Sequence, residues 1–118
     1  MIFNSILIAN RGEIACRIIK TAKKLNIETV AIYSEIEEFF PHVLMADEKV
    51  CIGSPDLYNS YLNVDKIINI AKKTKSEAIH PGYGFLSENH LFAEATEKQG
   101  IKFIGPSSKA IKIMGDKI

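Results

Sequence analysis

The strongest constraint on the fold of this chain is the apolar run at residues 5–9 (SILIA), which polar Asn10 and Arg11 follow at once. A run of this length without polar alternation is typical of a strand that is buried on both faces, as in parallel sheets. Residues 14–25 then place apolar side chains at helical spacing, and residues 29–33 (TVAIY) form a second, β-branched run. Strand, helix and strand within about thirty residues predict a right-handed βαβ unit.

The alternation of strands and helices continues along the rest of the chain. Further strands are predicted at residues 49–52, 78–80 and 102–104, and further helices at residues 64–73, 88–99 and 107–114. Four residues are expected to cap helix ends: Asn26, Asn63, Ser87 and Gly100. About five strands between helices predict an α/β fold with a Rossmann-like, doubly wound parallel sheet. Because no linker or repeat interrupts the pattern, residues 1–118 are expected to form one domain.

The charge and composition of the chain argue against several classes of protein. Fifteen basic and fourteen acidic residues give a formal net charge of +1, so the chain lacks the positive field that would attract nucleic-acid phosphates. The apolar runs are far shorter than the roughly 18 residues of a membrane-spanning helix. The N-terminal run also lacks the features of a signal peptide. We therefore expect a cytoplasmic protein that binds neither nucleic acid nor membrane, with Cys16 and Cys51 as reduced thiols.

The first strand-to-helix turn argues against a dinucleotide site. In open α/β sheets the ligand lies beyond the carboxyl ends of the strands, so the turns after the strands carry the candidate sites. The first turn reads Asn10-Arg11-Gly12-Glu13 and has a single glycine in place of a GxGxxG fingerprint. Nicotinamide and flavin dinucleotides therefore become poor candidates. Arg11 and Glu13 are instead expected to form local ion pairs at the edge of the sheet.

The turn at residues 80–89 (HPGYGFLSEN) is the most informative segment of the chain. Glycines on both sides of Tyr83 allow positive φ angles and a close approach of the backbone to a ligand. Ser87 and the first amides of the following helix could together bind an anion. A loop whose glycines set its conformation and whose tip carries an aromatic residue is more typical of a binding loop than of a simple connection. The alternative is a tight turn in which Tyr83 and Phe85 simply pack against the domain.

The remaining titratable residues do not indicate a metal or nucleophile site. The three histidines lack ligand spacing and have no cysteine or carboxylate cluster nearby, so no metal site is expected from this chain alone. His80, at a predicted strand end, is expected to be a hydrogen-bonded structural histidine. Two charged groups are expected to be solvated: the acidic group Glu35, Glu37 and Glu38, and the basic group Lys72, Lys73 and Lys75.

Seven motifs, taken in order, make the chain resemble the N-terminal domain of biotin carboxylases. They are ANRGEIACRI (9–18), TVAIYS (29–34), HVxxADE (42–48), SYLN (60–63), HPGYGFLSEN (80–89), FIGPS (103–107) and MGDK (114–117). The resemblance covers essentially the whole chain, and a ten-residue match such as HPGYGFLSEN is very specific. It implies that the domain precedes an ATP-grasp region and packs against it.

The resemblance also implies an activity for the complete enzyme, in which ATP with Mg or Mn converts bicarbonate to carboxyphosphate, and the carboxyl group then passes to biotin. Lys117 would contact the ATP phosphates, and Tyr83 and Gly84 would lie against the biotin ring. Arg17 and Lys20 would lie on the helix face that forms part of a homodimer contact. The family's catalytic residues lie downstream of MGDK. We therefore expect the 118 residues to be a fragment of a longer chain, inactive alone and without a tightly bound cofactor.

Among such enzymes, the resemblance favours the biotin carboxylase of an acyl-CoA carboxylase, acetyl or propionyl, acting in fatty acid metabolism. Its partners would be a biotinyl carrier domain and a carboxyltransferase subunit. The same domain of pyruvate or urea carboxylase is one alternative, and a free-standing, non-catalytic nucleotide-binding or assembly module is an alternative from another class. Two features depart from the family: Lys20 stands where Arg is common, and Phe39 and Phe40 occupy an expected surface loop. Local packing or a partner contact would account for the two phenylalanines.

Overall fold

The computed structural model describes residues 3–105, in which five strands form one all-parallel sheet. The strands are β1 (Ser5–Ile8), β2 (Glu28–Ser34), β3 (Glu48–Gly53), β4 (Ala78–His80) and β5 (Lys102–Phe103). The helices are α1 (Gly12–Lys24), α2 (Pro41–Met45), α3 (Val64–Lys73) and α4 (His90–Lys98), with short 3₁₀ helices at Glu35–Glu37 and Leu57–Asn59. This alternation confirms the predicted α/β, doubly wound fold. No helix among the described residues is long and apolar enough to cross a membrane.

The order of strands across the sheet, β3-β2-β1-β4-β5, places the two halves of the fold on either side of β1. The chain runs outward from β1 to β3 and then crosses back to β4, so the strand order reverses between β1 and β4. Ile8 of β1 is in register with His80 of β4, and the Ala9 N–H donates to the His80 carbonyl at 2.9 Å. The turns that follow β1 and β4 therefore lie side by side at the carboxyl edge of the sheet, where ligands bind in open α/β folds.

Strand β1 is apolar because helices cover both faces of the sheet. Leu7 belongs to the larger core cluster, which includes residues of α3 and α4, whereas Ile6 and Ile8 belong to a second cluster with α1. Alternate side chains of one strand thus fill both layers of the core. A strand in this position has no solvent-facing side, which explains why its sequence shows no polar alternation.

Most helix ends agree with the expectations from sequence. Asn26 adopts a left-handed φ of 60° just after α1. At the start of α3, the Asn63 side chain accepts a hydrogen bond from the Lys66 N–H at 3.0 Å. Gly100 has a φ of 75° just after α4. These three predicted caps are confirmed.

The start of α4 differs from the prediction, because Ser87 does not cap this helix. Asn89 is the cap, and its side chain accepts a hydrogen bond from the Phe92 N–H at 3.0 Å. The Ser87 N–H instead donates to the Gly84 carbonyl at 2.9 Å, which keeps this part of the chain in a turn. The predicted helix at residues 107–114 lies outside the described residues.

Candidate functional site

Asn10, the second residue after β1, holds the first half of the loop at residues 81–89. Its side chain is buried, and its Nδ2 donates to the Pro81 carbonyl at 2.8 Å and to the Tyr83 carbonyl at 2.6 Å. Its Oδ1 accepts a hydrogen bond from the Arg11 N–H at 2.8 Å. One amide side chain therefore satisfies three backbone groups and joins the two turns at the point where the strand order reverses.

Two glycines in this loop have different structural roles. Gly82 has a φ of +66°, and a Cβ at this position would lie 2.5 Å from Nδ2 of Asn10. Gly84 has a φ of +69°, but a Cβ there would meet no described atom within 4 Å. Gly82 is thus needed for its conformation and for close packing. Gly84 is needed for its conformation, and it leaves open space beside the loop.

His80, the last residue of β4, also supports the loop. The Gly82 N–H donates to His80 Nδ1 at 3.1 Å, so this nitrogen is an acceptor and the ring proton lies on Nε2. Burial lowers the pKa of His80, which favours the neutral ring. The expectation of a hydrogen-bonded structural histidine is confirmed.

Glu37 lies in the interior, and the expectation that it is solvated is wrong. Its side chain is fully buried, and Arg11 Nη1 donates to its Oε2. Its Oε1 accepts hydrogen bonds from the Ser34 N–H and from the Tyr61 hydroxyl group, each at 2.9 Å. The 3₁₀ helix after β2 turns this carboxylate back towards the end of the strand. Arg11 forms an ion pair, but the expectation of a local one is wrong, because its partner is the buried Glu37, 26 residues away.

The buried contacts around Glu37 determine its charge. Burial alone would raise its pKa, but hydrogen bonds from Ser34, Arg11 and Tyr61 outweigh burial and hold the pKa below its usual value. Burial and the neighbouring carboxylate both raise the pKa of Tyr61, which therefore keeps its proton. The group consists of a guanidinium cation, a carboxylate and a neutral phenol.

An aromatic stack holds the second half of the loop. Phe85 has a φ of 46°, a left-handed conformation that is disfavoured for an aromatic residue. Its ring stacks on the ring of Tyr61, with 5.0 Å between the centroids and 14° between the planes. The guanidinium carbon of Arg11 lies 5.5 Å from each of the two centroids. The cation of the first turn is therefore in contact range of both rings.

A cleft of about 550 Å³ opens between the loop and α1. Ile14, Arg17 and Ile18 line it from α1, and Tyr83 lines it from the loop. The cleft continues into a mainly apolar groove of about 490 Å³, which shares Arg17, Ile18 and His80 with it. A recess of this kind beyond the carboxyl ends of the strands is the usual location of a ligand in such folds.

Two of the predicted site residues, Arg17 and Tyr83, line this cleft. Tyr83 and Gly84 form the exposed tip of the loop, between the Asn10 contacts and the Phe85 stack. Phe85 packs against the domain as the alternative expected, but Tyr83 does not. Arg17 lines the cleft, and Lys20 is exposed further along α1. Lys117 lies outside the described residues.

Reasoning from sequence did not find the roles of Asn10, Glu37 and Tyr61. A local signal was present for Glu37, because Ser34 and Glu37 have the spacing of a capping box, which turns an acidic side chain back towards the preceding residue. Tyr61 lies in the SYLN motif, but nothing near it in sequence indicates its partners. Its contacts with Glu37 and Phe85 arise only when distant segments meet.

Comparison with known proteins connects this geometry to a family. Residues 2–111 match the family model described as biotin carboxylase, N-terminal domain. The mitochondrial propionyl-CoA carboxylase alpha chain of Caenorhabditis briggsae is 59% identical over 116 residues, which are 98% of this chain and 16% of that protein. The biotin carboxylase of Allochromatium vinosum is 57% identical over 113 residues, which are 96% of this chain and 25% of that protein. The chain therefore spans a quarter or less of the length of these curated relatives.

A solved structure agrees with these relatives. The biotin carboxylase domain dimer of Hydrogenobacter thermophilus 2-oxoglutarate carboxylase, in complex with MgADP, ADP and bicarbonate, matches with a TM-score of 0.94 and 54% identity. The match covers 98% of this chain and 25% of that chain. The resemblance inferred from the seven motifs is thereby confirmed, and the chain belongs to the biotin carboxylase N-terminal domain family.

Proposed function

We propose that this chain is the N-terminal domain of an ATP-dependent biotin carboxylase, a ligase that carboxylates biotin with MgATP and bicarbonate. Within this chemistry we propose an acyl-CoA carboxylase, propionyl or acetyl, which the 59% identity to a propionyl-CoA carboxylase alpha chain supports. The observation that carries the proposal is the tip formed by Tyr83 and Gly84. The hydrogen bond from Asn10 holds this tip on one side, and the stack of Phe85 on Tyr61 holds it on the other. The tip lies where the strand order of an open α/β sheet reverses, which is the usual position of a ligand.

The proposed reaction has two steps. The γ-phosphoryl group of ATP passes to a bicarbonate oxygen as ADP leaves, and the carboxyl group of carboxyphosphate then passes to a ureido nitrogen of biotin, whose proton goes to the departing phosphate. Among residues 3–105, no group of three or more His, Cys, Asp or Glu side chains could hold a metal ion. We therefore assign neither Mg²⁺ nor a step of the chemistry to these residues. Their role in the proposal is to bind and to position.

Tyr83 and Gly84 are the residues to which we assign biotin binding. The space beside Gly84 allows a fused ring to approach the backbone, and the exposed ring of Tyr83 can pack against it. Because the Asn10 contacts and the Phe85 stack hold the loop in place before a ligand arrives, binding orders little additional chain.

The other parts of the proposal concern the larger assembly. Lys117 would contact the ATP phosphates. Residues 1–118 would form one domain, and an ATP-grasp region of the same chain would pack against it. Arg17 and Lys20, both exposed on α1, would join a homodimer contact, which the dimeric state of the solved relative supports. A biotinyl carrier domain and a carboxyltransferase subunit would complete the enzyme. Residues 1–118 alone would be inactive.

The variant Tyr83→Ala in the complete enzyme tests the proposed function. We expect the KM for free biotin to rise about tenfold, since an interaction with bound substrate is lost. Bicarbonate-dependent ATP hydrolysis measured without biotin should persist. Tyr58→Ala is the matched control, because Tyr58 is 79% exposed and Tyr83 is 78% exposed. An unmodified enzyme without bicarbonate-dependent ATP hydrolysis would refute the function, and normal biotin kinetics in Tyr83→Ala would refute the role of the loop.

A further inference from the structure

A buried network of Arg11, Glu37 and Tyr61 lies beneath the loop, and two of its members have no surface with which to meet a ligand. Glu37 and Tyr61 are both fully buried. The network reaches the second half of the loop through Phe85, which stacks on Tyr61 and directly follows Gly84. Tyr61 therefore contacts the loop at Phe85, while Arg11 also connects the network to Asn10 through its backbone N–H.

Phe85 depends on this support because of its backbone conformation. A φ of 46° is disfavoured for an aromatic residue, so contacts elsewhere have to offset its cost. The stack on Tyr61, with 5.0 Å between centroids, is one such contact, and the Arg11 guanidinium carbon 5.5 Å from the Phe85 centroid is another. Without the stack, we expect Phe85 to relax to negative φ, which would rotate the peptide that it shares with Gly84.

The ring of Tyr61 is fixed in turn by its hydroxyl group, which lies 2.9 Å from Glu37 Oε1 and 3.0 Å from the Ile32 carbonyl. Glu37 is itself held by Arg11 and by the Ser34 N–H. A continuous series of contacts thus runs from the end of β2 to the second half of the loop. It does not pass through the surface that a ligand would touch.

The first half of the loop has a direct anchor in Asn10, whose Oδ1 also accepts a hydrogen bond from the Arg11 N–H. Asn10 binds the carbonyls of Pro81 and Tyr83, but it makes no hydrogen bond to Gly84 or Phe85 in the described part of the chain. The backbone between Tyr83 and Phe85 is therefore held at one end by Asn10 and at the other by the buried network.

We propose that Glu37 and Tyr61 are positioning residues, which set the backbone of Tyr83 and Gly84 for biotin by holding Phe85 in its left-handed conformation. Neither residue touches the substrate in this scheme. The inference rests on the proposed function, because biotin is the ligand assigned to the tip of the loop.

Two isosteric variants of the complete biotin carboxylase test this inference. Tyr61→Phe keeps the stacked ring and removes the hydroxyl group, and Glu37→Gln keeps the shape of the side chain and removes its charge. Each should raise the KM for free biotin about tenfold, the effect of losing one hydrogen bond to a charged group. Bicarbonate-dependent ATP hydrolysis without biotin should change by less than about twofold. The double variant should show about the same rise as either single variant, since both act through one series of contacts.

The controls are Tyr58→Phe and Glu35→Gln, which make the same chemical changes on exposed side chains and should leave the KM for biotin unchanged. An unchanged KM in both test variants would overturn the inference. An equal loss of biotin carboxylation and ATP hydrolysis, or a failure of both variants to fold by circular dichroism, would also overturn it, because the network would then support the whole domain. The proposed function fails separately, if the unmodified enzyme shows no bicarbonate-dependent ATP hydrolysis.

Discussion

The loop that carries Tyr83 and the segment at residues 35–40 both expose a large ring, but the chain beneath each ring is built differently. Tyr83 is 78% exposed and Phe39 is 74% exposed. The Tyr83 loop exposes its tip because hydrogen bonds and a stack hold its two ends. The other segment buries a charged side chain, Glu37 at 0% exposure, and exposes an apolar one, Ile36 at 70%. Exposure of Ile36 is the geometric consequence of turning Glu37 inward, whereas exposure of Tyr83 presents a ring to a cleft.

Among the variants that separate the two segments, Gly82→Ala should have the largest effect on stability, because it disrupts the packing of Asn10 against the loop. The new methyl group would lie 2.5 Å from Asn10 Nδ2, at a φ of +66°. We expect a loss of about 3 kcal/mol from the free energy of unfolding, measured in urea. Gly84→Ala is the matched variant, because its φ is +69° but no described atom lies within 4 Å of the new methyl group. It should cost about 1 kcal/mol, and equal losses would mean that packing against Asn10 contributes nothing.

Acidification should weaken the packing of the buried titratable side chains, which include Glu37, whereas the hydrogen bonds of Asn10 contain no titrating group because an amide does not titrate. Burial lowers the pKa of His42, and hydrogen bonds that outweigh burial lower the pKa of Glu37. A lowered pKa contributes stability that is present above the unfolded-state pKa and is lost as the pH falls through the folded-state pKa. The free energy of unfolding should therefore begin to fall below about pH 6.5, where histidine in the unfolded chain takes up a proton, and Glu37 should add to the fall below about pH 4.3. Urea unfolding at a series of pH values measures both changes.

The variant His42→Gln is the control for the first of these two changes. The variant should reduce the loss of unfolding free energy between about pH 6.5 and pH 5. It should not abolish this loss, because burial also lowers the pKa of His80. The second loss, which we assign to Glu37, should remain. A free energy of unfolding that rises on acidification through this range would contradict the signs of the shifts.

The smallest effect on stability is expected from replacing the exposed rings themselves. Phe39→Ser and Tyr83→Ser should each change the free energy of unfolding by less than about 0.5 kcal/mol, because neither ring is buried. Their effects on function should differ, since only Tyr83→Ser should raise the KM for free biotin in the complete enzyme. Measurement of both quantities for both variants tests the distinction. A comparable rise in KM for Phe39→Ser would show that the two segments serve the same surface.

The fold was largely predictable because apolar periodicity depends on the local geometry of strands and helices. Helix α3 (Val64–Lys73) and strand β4 (Ala78–His80) agree with the sequence-based bounds residue by residue. Helix α4 was placed too early because Ser87 and Asn89 both have side chains suited to capping, and the turn hydrogen bond of Ser87 to Gly84 is not visible in a periodic pattern.

The candidate site was predictable only in part. Glycines beside an aromatic residue are a local signal, and this signal indicated the loop of Tyr83 and Gly84, for which biotin binding stays a prediction. The support beneath them was missed because its contacts join residues far apart in sequence, such as Glu37 with Arg11, 26 positions away, and Asn10 with Tyr83, 73 positions away. The charge of Glu37 suggested solvent exposure, and only the meeting of three segments supplies the donors that make its burial favourable.

The hydrogen bond between Asn10 and Tyr83 also bears on how the chain is made. The ribosome adds Asn10 73 residues before Tyr83, an interval of about 4–15 s at ordinary rates of translation. During this interval β1 can pair with β2 and β3, but its other edge has no strand beside it until β4 is synthesised. We therefore expect nascent chains that end between β3 and β4 to be the ones that chaperones bind most, and the emergence of residues 78–83 to release them.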